Sequence, residues 1–173
     1  MKKKLMLGGG ATAVAVAVGV LLAPLAAQAG HANTVLEADL NGRNEVAADG
    51  SKRIVGDPNG RGEAYVFGID GDPNTLCYLI DVDKIDELDG APNTGGRAAH
   101  IHEGAKGTNG PVVVGLAFPT GGQSADCLTV PEGGLDSAAE VADILSTPAD
   151  YYVNVHNGVY PSGAIRGQLS VAD

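Results

Sequence analysis

The sequence predicts an all-β domain, namely an antiparallel β-sandwich or barrel of Greek-key-like topology with about eight strands and one short helix. Short apolar runs rich in valine, isoleucine and tyrosine recur along the chain, and glycine, asparagine and aspartate separate them. The periodicity of an amphipathic helix is found in only one segment. Both observations favour many short strands joined by turns.

The predicted strands follow one another at a spacing typical of sandwiches. The second and third form a hairpin, because the turn-forming residues 70–74 separate them. In chain order the predicted strands are residues 34–40, 63–69, 76–82, 98–102, 112–118, 127–130, 151–156 and 164–171.

One helix interrupts this series. Ser137 and Glu140 have the spacing of a capping box, in which the serine side chain caps the helix and the glutamate reaches back. Pro148 ends the segment. The apolar residues that follow the cap lie on one side of a helix: Val141, Ile144 and Leu145.

The N-terminus predicts export. Residues 2–4 are lysines, residues 5–25 carry no charge, and Ala27 and Ala29 form a small-x-small cleavage site. An uncleaved anchor is the alternative, since the apolar stretch approaches the ~20 residues that span a bilayer. The glycines at 8–10 and Pro24 favour cleavage. We therefore predict a signal peptide at 1–29, a single domain at 30–173, no membrane anchor after cleavage, and a secreted or periplasmic protein.

The charge of the mature domain excludes two classes of partner. The whole chain has 11 basic and 21 acidic residues, and removal of the leader leaves 8 against 21, a net charge of −13. Nucleic acids and anionic membranes require clustered positive charge. We therefore expect neither of them as a partner.

The two cysteines, Cys77 and Cys127, remain in the mature chain. An even number of cysteines in an oxidising compartment predicts a disulfide. The alternative is a pair of metal thiolates, but neither cysteine lies in a C-x-x-C motif or near a histidine in the sequence. We expect the disulfide.

The histidines give the one chemical hypothesis. Of the four in the chain, His31 lies two residues past the predicted cleavage site. His100 and His102 project from the same face of a strand, because side chains alternate, and His156 ends a second strand. If these strands are neighbours, the three imidazoles converge and suit copper, zinc, nickel or iron. The alternative is three structural histidines that hydrogen-bond to backbone or carboxylate groups.

Other candidate sites are weaker. The oxygen-rich turns at 57–60 and 70–74 lack the twelve-residue pattern of a calcium loop, and their residues are those that turns prefer. The acidic stretch at 81–89 is typical of a solvated face. No nucleophile elbow or phosphate-binding glycine loop is present in the sequence. The sequence therefore favours a protein that is not an enzyme.

Several strings resemble the CHRD domain, first described in chordin. They are AHIH at 99–102, GPVVV at 110–114, YYVNVH at 151–156 and PSGAIRGQL at 161–169. The cysteines also lie where many members place a pair, and the resemblance spans residues 34–171. It implies an immunoglobulin-like or superoxide-dismutase-like sandwich that acts outside the cytoplasm. The implied function is a binding module for an extracellular or envelope macromolecule.

A fainter similarity concerns copper/zinc superoxide dismutases. The string HIHE at 100–103 resembles the strand that supplies two copper ligands in those enzymes. The similarity implies copper as the cofactor, His156 as a third ligand, and Arg166 as an electrostatic helper that guides anions. No further histidines exist for a zinc site. Two hypotheses follow: a secreted interaction module with a three-histidine metal site, and a copper-binding redox protein without the zinc site.

Overall fold

The computed structural model describes residues 34–85 and 98–173. The predicted signal peptide, its cleavage site and His31 lie outside the described residues. Within them the strands and the α-helix are β1 Val35–Asn41, β2 Arg61–Ile69, β3 Asp72–Asp83, β4 Ala99–Glu103, β5 Val112–Leu116, β6 Gln123–Thr129, α1 Ala138–Ser146, β7 Tyr151–Val155, β8 Ile165–Gln168 and β9 Ser170–Val171.

The strands form one antiparallel sheet that nearly closes into a barrel or sandwich, as predicted. The hydrogen-bonded order is β5-β4-β7-β8-β1-β2-β3-β6, with β9 pairing β1. Strands that are distant in the chain therefore become neighbours. The pairing of β4 with β7 brings the two histidine-bearing segments together.

Each predicted strand overlaps an observed one, and the differences lie at the ends; β3 and β6, for example, each begin four residues earlier than predicted. The last predicted strand is divided into β8 and β9 around Leu169. The hairpin of β2 and β3 turns at Asp70 and Gly71, where the glycine has a φ of 78°. The Asp72 carboxylate accepts hydrogen bonds from the Asn74 amide and the Thr75 hydroxyl. This turn therefore uses its oxygen atoms internally.

Alternation along the strands produces the core. In β1, for example, Leu36, Ala38 and Leu40 are buried, whereas the residues between them are more exposed. Apolar side chains from the inner side of the other strands fill the space between the half of the sheet formed by β5-β4-β7-β8 and the half formed by β1-β2-β3-β6. Strands β4 and β7 differ from β1, since nearly all of their residues are buried. Burial of this apolar surface is the main force that stabilises the fold.

Helix α1 begins as the sequence predicts. The Ser137 hydroxyl accepts a hydrogen bond from the Glu140 amide at 3.2 Å. The Glu140 carboxylate reaches back to the amide of Asp136, one residue before the cap. Val141 and Ile144 are fully buried. The helix thus packs its predicted apolar face against β2 and β3.

The two cysteines form the predicted disulfide. Cys77 in β3 lies directly opposite Cys127 in β6, and their sulfur atoms are bonded. The bond ties the edge strand β6 to the strand beside it. In the part of the chain that the structure describes, no helix is both long enough and apolar enough to cross a membrane.

Candidate metal centre

Strands β4 and β7 present one polar face. In their register His100 lies opposite Asn154 and His102 opposite Tyr152. His156 follows the last residue of β7, and its amide donates a hydrogen bond to the carbonyl of Ala98. The positions 100, 102, 152, 154 and 156 therefore share one side of the sheet. The intervening residues of both strands lie in the apolar core.

The three histidines converge as the sequence analysis expected. One ring nitrogen from each of His100, His102 and His156 can be chosen so that all three atoms lie within 4.8 Å of one another. The ring centroids of His100 and His156 are 5.1 Å apart, and those of His100 and His102 are 5.7 Å apart. Both histidines of β4 are buried, with 8% and 9% of their surface exposed. The cluster is therefore shielded by protein.

Backbone carbonyls orient two of the rings. Nδ1 of His102 lies 3.0 Å from the carbonyl oxygen of Gly110, and Nδ1 of His156 lies 3.1 Å from that of Pro161. A carbonyl oxygen can only accept a hydrogen bond, so each Nδ1 must carry the proton. Each Nε2 then keeps a lone pair. Both Nε2 atoms are buried and have no hydrogen-bond partner.

This arrangement fits a metal ion. Ligating histidines in proteins almost always donate their second ring N–H to a carbonyl or carboxylate, which fixes the orientation of the ring. Bonds of 2.0–2.1 Å would place three ligand nitrogens about 3.3–3.6 Å apart. The observed separations, of up to 4.8 Å, require side-chain movements of only about 1 Å.

Burial also keeps the rings ready to bind. Desolvation lowers the pKa of His102 and of His156 below the ordinary value for histidine. For His102, the hydrogen bond to the Gly110 carbonyl raises the pKa and offsets part of this shift. The positive charges of His156 and Arg166 lower the pKa further. A neutral imidazole is the form that ligates metals. The site therefore stays in its binding form at a more acidic pH than free histidine would.

Arg166 lies behind the site, on β8. Its guanidinium carbon is 3.3 Å from the centroid of the Tyr152 ring, and that ring stacks on His102 at 4.7 Å with an interplanar angle of 9°. The imidazole and the guanidinium therefore both pack against the Tyr152 ring, which is carried by β7, the strand between β4 and β8. Arg166 is only 2% exposed. The anion-guiding role predicted for it stays a prediction.

A second polar layer adjoins the histidines. Glu45 is buried and begins a segment, residues 45–57, that passes over this face and that we call the covering segment. Its carboxylate accepts a hydrogen bond of 3.4 Å from Asn154, and burial raises its pKa to about 7, although the charge of Arg166 opposes the rise. One oxygen of Glu45, the Asn154 carbonyl oxygen and one Arg166 nitrogen are buried without a hydrogen-bond partner. Such groups normally contact water or a ligand.

A cavity opens beside the cluster. It has a volume of about 420 Å³ and lies between the covering segment and the loop at 159–163. His102, Tyr152 and Asn154 contribute to its wall. A small molecule in this cavity would therefore touch the edge of a candidate ligand.

Sequence reasoning missed the residues that support the histidines. Tyr152 and Asn154 lie on the same face of β7 as His156, because side chains alternate along a strand. This alternation is a signal in the sequence that could have identified them. Glu45 lies in an irregular segment and has no such signal. Asp57 accepts hydrogen bonds from the amides of Asn59 and Gly60, so the turn at 57–60 also has a structural use for its carboxylate.

The comparison with known families agrees with these motifs. No curated protein and no solved structure gives a match to the chain. The family model of the CHRD domain matches residues 36–169, which include every strand that contributes to the histidine cluster. The chain therefore belongs to the CHRD domain family.

Proposed function

We propose that this protein is an extracytoplasmic CHRD-domain protein that binds one copper ion through His100, His102 and His156. The observation that carries the proposal is the convergence of three imidazole nitrogens within 4.8 Å, with backbone carbonyls orienting two of the rings. Three nitrogen ligands leave one coordination position for a solvent molecule or another small ligand.

Copper is the metal that best suits the donor set. The cluster has only nitrogen donors, and at such sites divalent copper binds more tightly than zinc, nickel or iron. The cysteines are joined in the disulfide and are not available as thiolates. Monovalent copper also accepts imidazole ligands, so both oxidation states fit the cluster.

The disulfide supports a location outside the cytoplasm. Bonds of this kind form and persist in oxidising compartments and are rare in the reducing cytosol. The predicted leader at residues 1–29 and the membership of the CHRD family point in the same direction.

Copper titration of the mature protein tests the proposal. We expect one equivalent of copper to bind, and His102→Ala or His156→Ala to weaken binding at least about 100-fold, since each removes a ligand. His31→Ala is the matched control, because it removes a histidine outside the cluster. Chelator competition monitored by absorbance gives the affinities.

Two outcomes would contradict the proposal. If His102→Ala and His156→Ala keep the wild-type stoichiometry and affinity, the cluster does not hold the metal. If His31→Ala alone abolishes binding, the metal is held at the N-terminus. A His156→Ala variant that loses thermal stability by the same amount with and without copper would indicate a purely structural role.

The cavity favours a second candidate, a copper-dependent redox function. Because the cavity reaches His102, a small substrate could approach a metal bound there. Azide is a suitable probe, since it ligates copper and changes its spectrum. We expect azide to perturb the copper-loaded wild type and to have a weaker effect in Ser162→Trp, where the indole narrows the cavity. Equal azide affinities in the two proteins would argue against this route.

A further inference from the structure

A buried positive charge, the guanidinium of Arg166, lies close to the histidine cluster, and it packs on the same tyrosine ring as one of the histidines. The guanidinium of Arg166 is 3.3 Å from the centre of the Tyr152 ring, and the imidazole of His102 is 4.7 Å from the same ring. Arg166 is 98% buried, since only 2% of its surface is exposed. Water therefore screens its charge little on the side of the metal site.

The position of this charge is fixed by its neighbours. Arg166 lies opposite Asn154 on one side and Asn41 on the other, and one of its nitrogens donates a hydrogen bond of 3.3 Å to Asn109. The guanidinium stays charged at any pH at which the protein folds. The second terminal nitrogen has no hydrogen-bond partner. Most of the positive charge is thus left without direct neutralisation.

Glu45 is the carboxylate whose charge acts on the buried guanidinium of Arg166, while the arginine also lines a surface pocket together with Glu37, Asp39 and Lys106. Glu45 contacts Asn154 on β7, and its carboxylate packs against Gly163, where a Cβ atom would lie 2.5 Å from Oε1. The other two carboxylates of the covering segment have partners elsewhere. Asp57 accepts hydrogen bonds from the amides of Asn59 and Gly60, and the exposed Asp49 pairs with Arg53 at 3.5 Å. Glu45 therefore acts as the partial counter-charge of Arg166.

We infer that Arg166, acting through the Tyr152 ring, is a positioning residue that biases the three-histidine site toward monovalent copper, and that Glu45 opposes this bias. The inference rests on the proposed copper site and names its oxidation-state preference. A fixed positive charge repels a divalent ion twice as strongly as a monovalent ion at the same place. It therefore weakens the binding of divalent copper more than that of monovalent copper.

The size of the effect follows from the geometry. The distances of 3.3 Å and 4.7 Å to the Tyr152 ring place the guanidinium carbon no farther than their sum, about 8 Å, from the centre of the His102 imidazole. A unit charge at about 8 Å, at an effective dielectric constant of about 20, changes a binding constant about 30-fold per unit of metal charge. The charge of Arg166 lowers the pKa of Glu45, so Arg166→Gln also removes part of the negative charge on Glu45, and we expect a net change of about tenfold. Tyr152 keeps the guanidinium and the imidazole at a constant separation.

The test compares the affinities for monovalent and divalent copper, each measured at pH 8 by chelator competition. We expect Arg166→Gln to lower the ratio of the monovalent to the divalent association constant about tenfold. Glu45→Gln should raise the same ratio, because it removes the negative charge. Arg166→Lys keeps the charge and should stay close to wild type. Circular dichroism confirms that each variant is folded.

The measurement also has an internal control in pH. Because burial raises the pKa of Glu45 to about 7, its carboxylate is mostly protonated at pH 6. At pH 6, Glu45→Gln should then leave the ratio of the two association constants unchanged, whereas Arg166→Gln should still lower it. If Arg166→Gln fails to fold, the Arg166→Gln/Glu45→Gln double variant removes both charges and should give a ratio below that of Glu45→Gln alone.

The outcomes separate the two proposals. A lower ratio of the monovalent to the divalent association constant in Arg166→Gln, together with a higher ratio in Glu45→Gln, supports the inference. A wild type that binds copper, with the same ratio in all the folded variants, overturns the inference and leaves the copper site intact. A wild type that binds neither form of copper overturns the proposed function and this inference together.

Discussion

Two faces of the sandwich carry polar side chains, but in opposite environments. On the outer face of β1, β2 and β3, Asp39 lies opposite Glu63, and Glu63 lies opposite Asp81. All three are exposed to solvent. On the face of β4, β7 and β8, His100, His102 and Arg166 are buried and His156 is half-buried, and the covering segment passes over this face. We call these the open face and the covered face.

The two faces show that burial, and not residue type alone, determines the pKa of a polar side chain and the strength of its charge interactions. Three carboxylates in a row repel one another, yet water and salt screen the repulsion on the open face. On the covered face the same kind of group, the Glu45 carboxyl, has its pKa raised to about 7 by desolvation. The covered face therefore holds a carboxyl group with a raised pKa close to the unpartnered Nε2 atoms of His102 and His156.

The largest expected difference between the faces is the loss of stability when a glycine with positive φ is replaced by alanine. Gly163 has a φ of 134°, and a Cβ there would lie 2.5 Å from the Glu45 carboxylate. Gly163→Ala should therefore destabilise the protein by roughly 4 kcal/mol, through overpacking and backbone strain. The control is Gly71→Ala in the open hairpin, where nothing lies within 4 Å of the new Cβ. It should cost about 1 kcal/mol, from φ alone.

Urea unfolding at neutral pH measures both changes. Equal losses in the two alanine variants would mean that the covering segment is not held tightly against the loop at 163.

The next difference concerns the carboxylates. Glu45 has a pKa of about 7 in the folded state against 4.5 when unfolded. Its ionisation therefore opposes folding, and stability should fall as the pH rises from 4.5 to 7. Glu45→Gln should raise the free energy of unfolding by on the order of 3 kcal/mol at pH 8, and by little below pH 4.5. Glu63→Gln on the open face should change it by less than about 1 kcal/mol.

Unfolding free energies of both variants, measured from pH 4 to pH 8, test this contrast. A Glu45→Gln curve parallel to the wild-type curve would contradict the buried position of the carboxyl.

The smallest expected effect is the response of the metal-free histidines to acid. Burial lowers the pKa of His102 and His156 in the folded state, whereas the carbonyl hydrogen bonds offset part of that shift. These groups contribute stability above the unfolded pKa of about 6.5, and this stability is lost as the pH falls through their lower folded values. In the Glu45→Gln background, stability should therefore fall on acidification below pH 6.5. His156→Ala should make the fall shallower.

Guanidinium unfolding of the metal-free proteins at pH 5 and pH 7 gives the comparison. Added copper should steepen the dependence on pH, since protons and metal compete for the same lone pairs. An identical dependence with and without His156 would show that this ring does not titrate as a buried group.

Much of the fold was predictable because it rests on local signals. Alternation along β1 and β7, the turn residues before Asp72 and the cap at Ser137 each act within a few residues of the chain. The pairing of Cys77 with Cys127 was predictable for another reason, since only two cysteines exist. The division of the last strand at Leu169 was not predicted, because strand ends depend on which neighbour supplies hydrogen bonds.

The sequence alone was enough for the all-β class, the family and the three candidate histidines, because residue type and spacing carry that information. The pairing of β4 with β7 became known only from the tertiary structure. The same is true of the carbonyls of Gly110 and Pro161, which orient the rings of His102 and His156 so that each Nε2 keeps its lone pair. The tertiary structure also decided that Arg166 stands behind Tyr152 and that Glu45 is buried near it. These relations join residues far apart in the chain, and electrostatic energies depend on distance and desolvation, which no local pattern specifies.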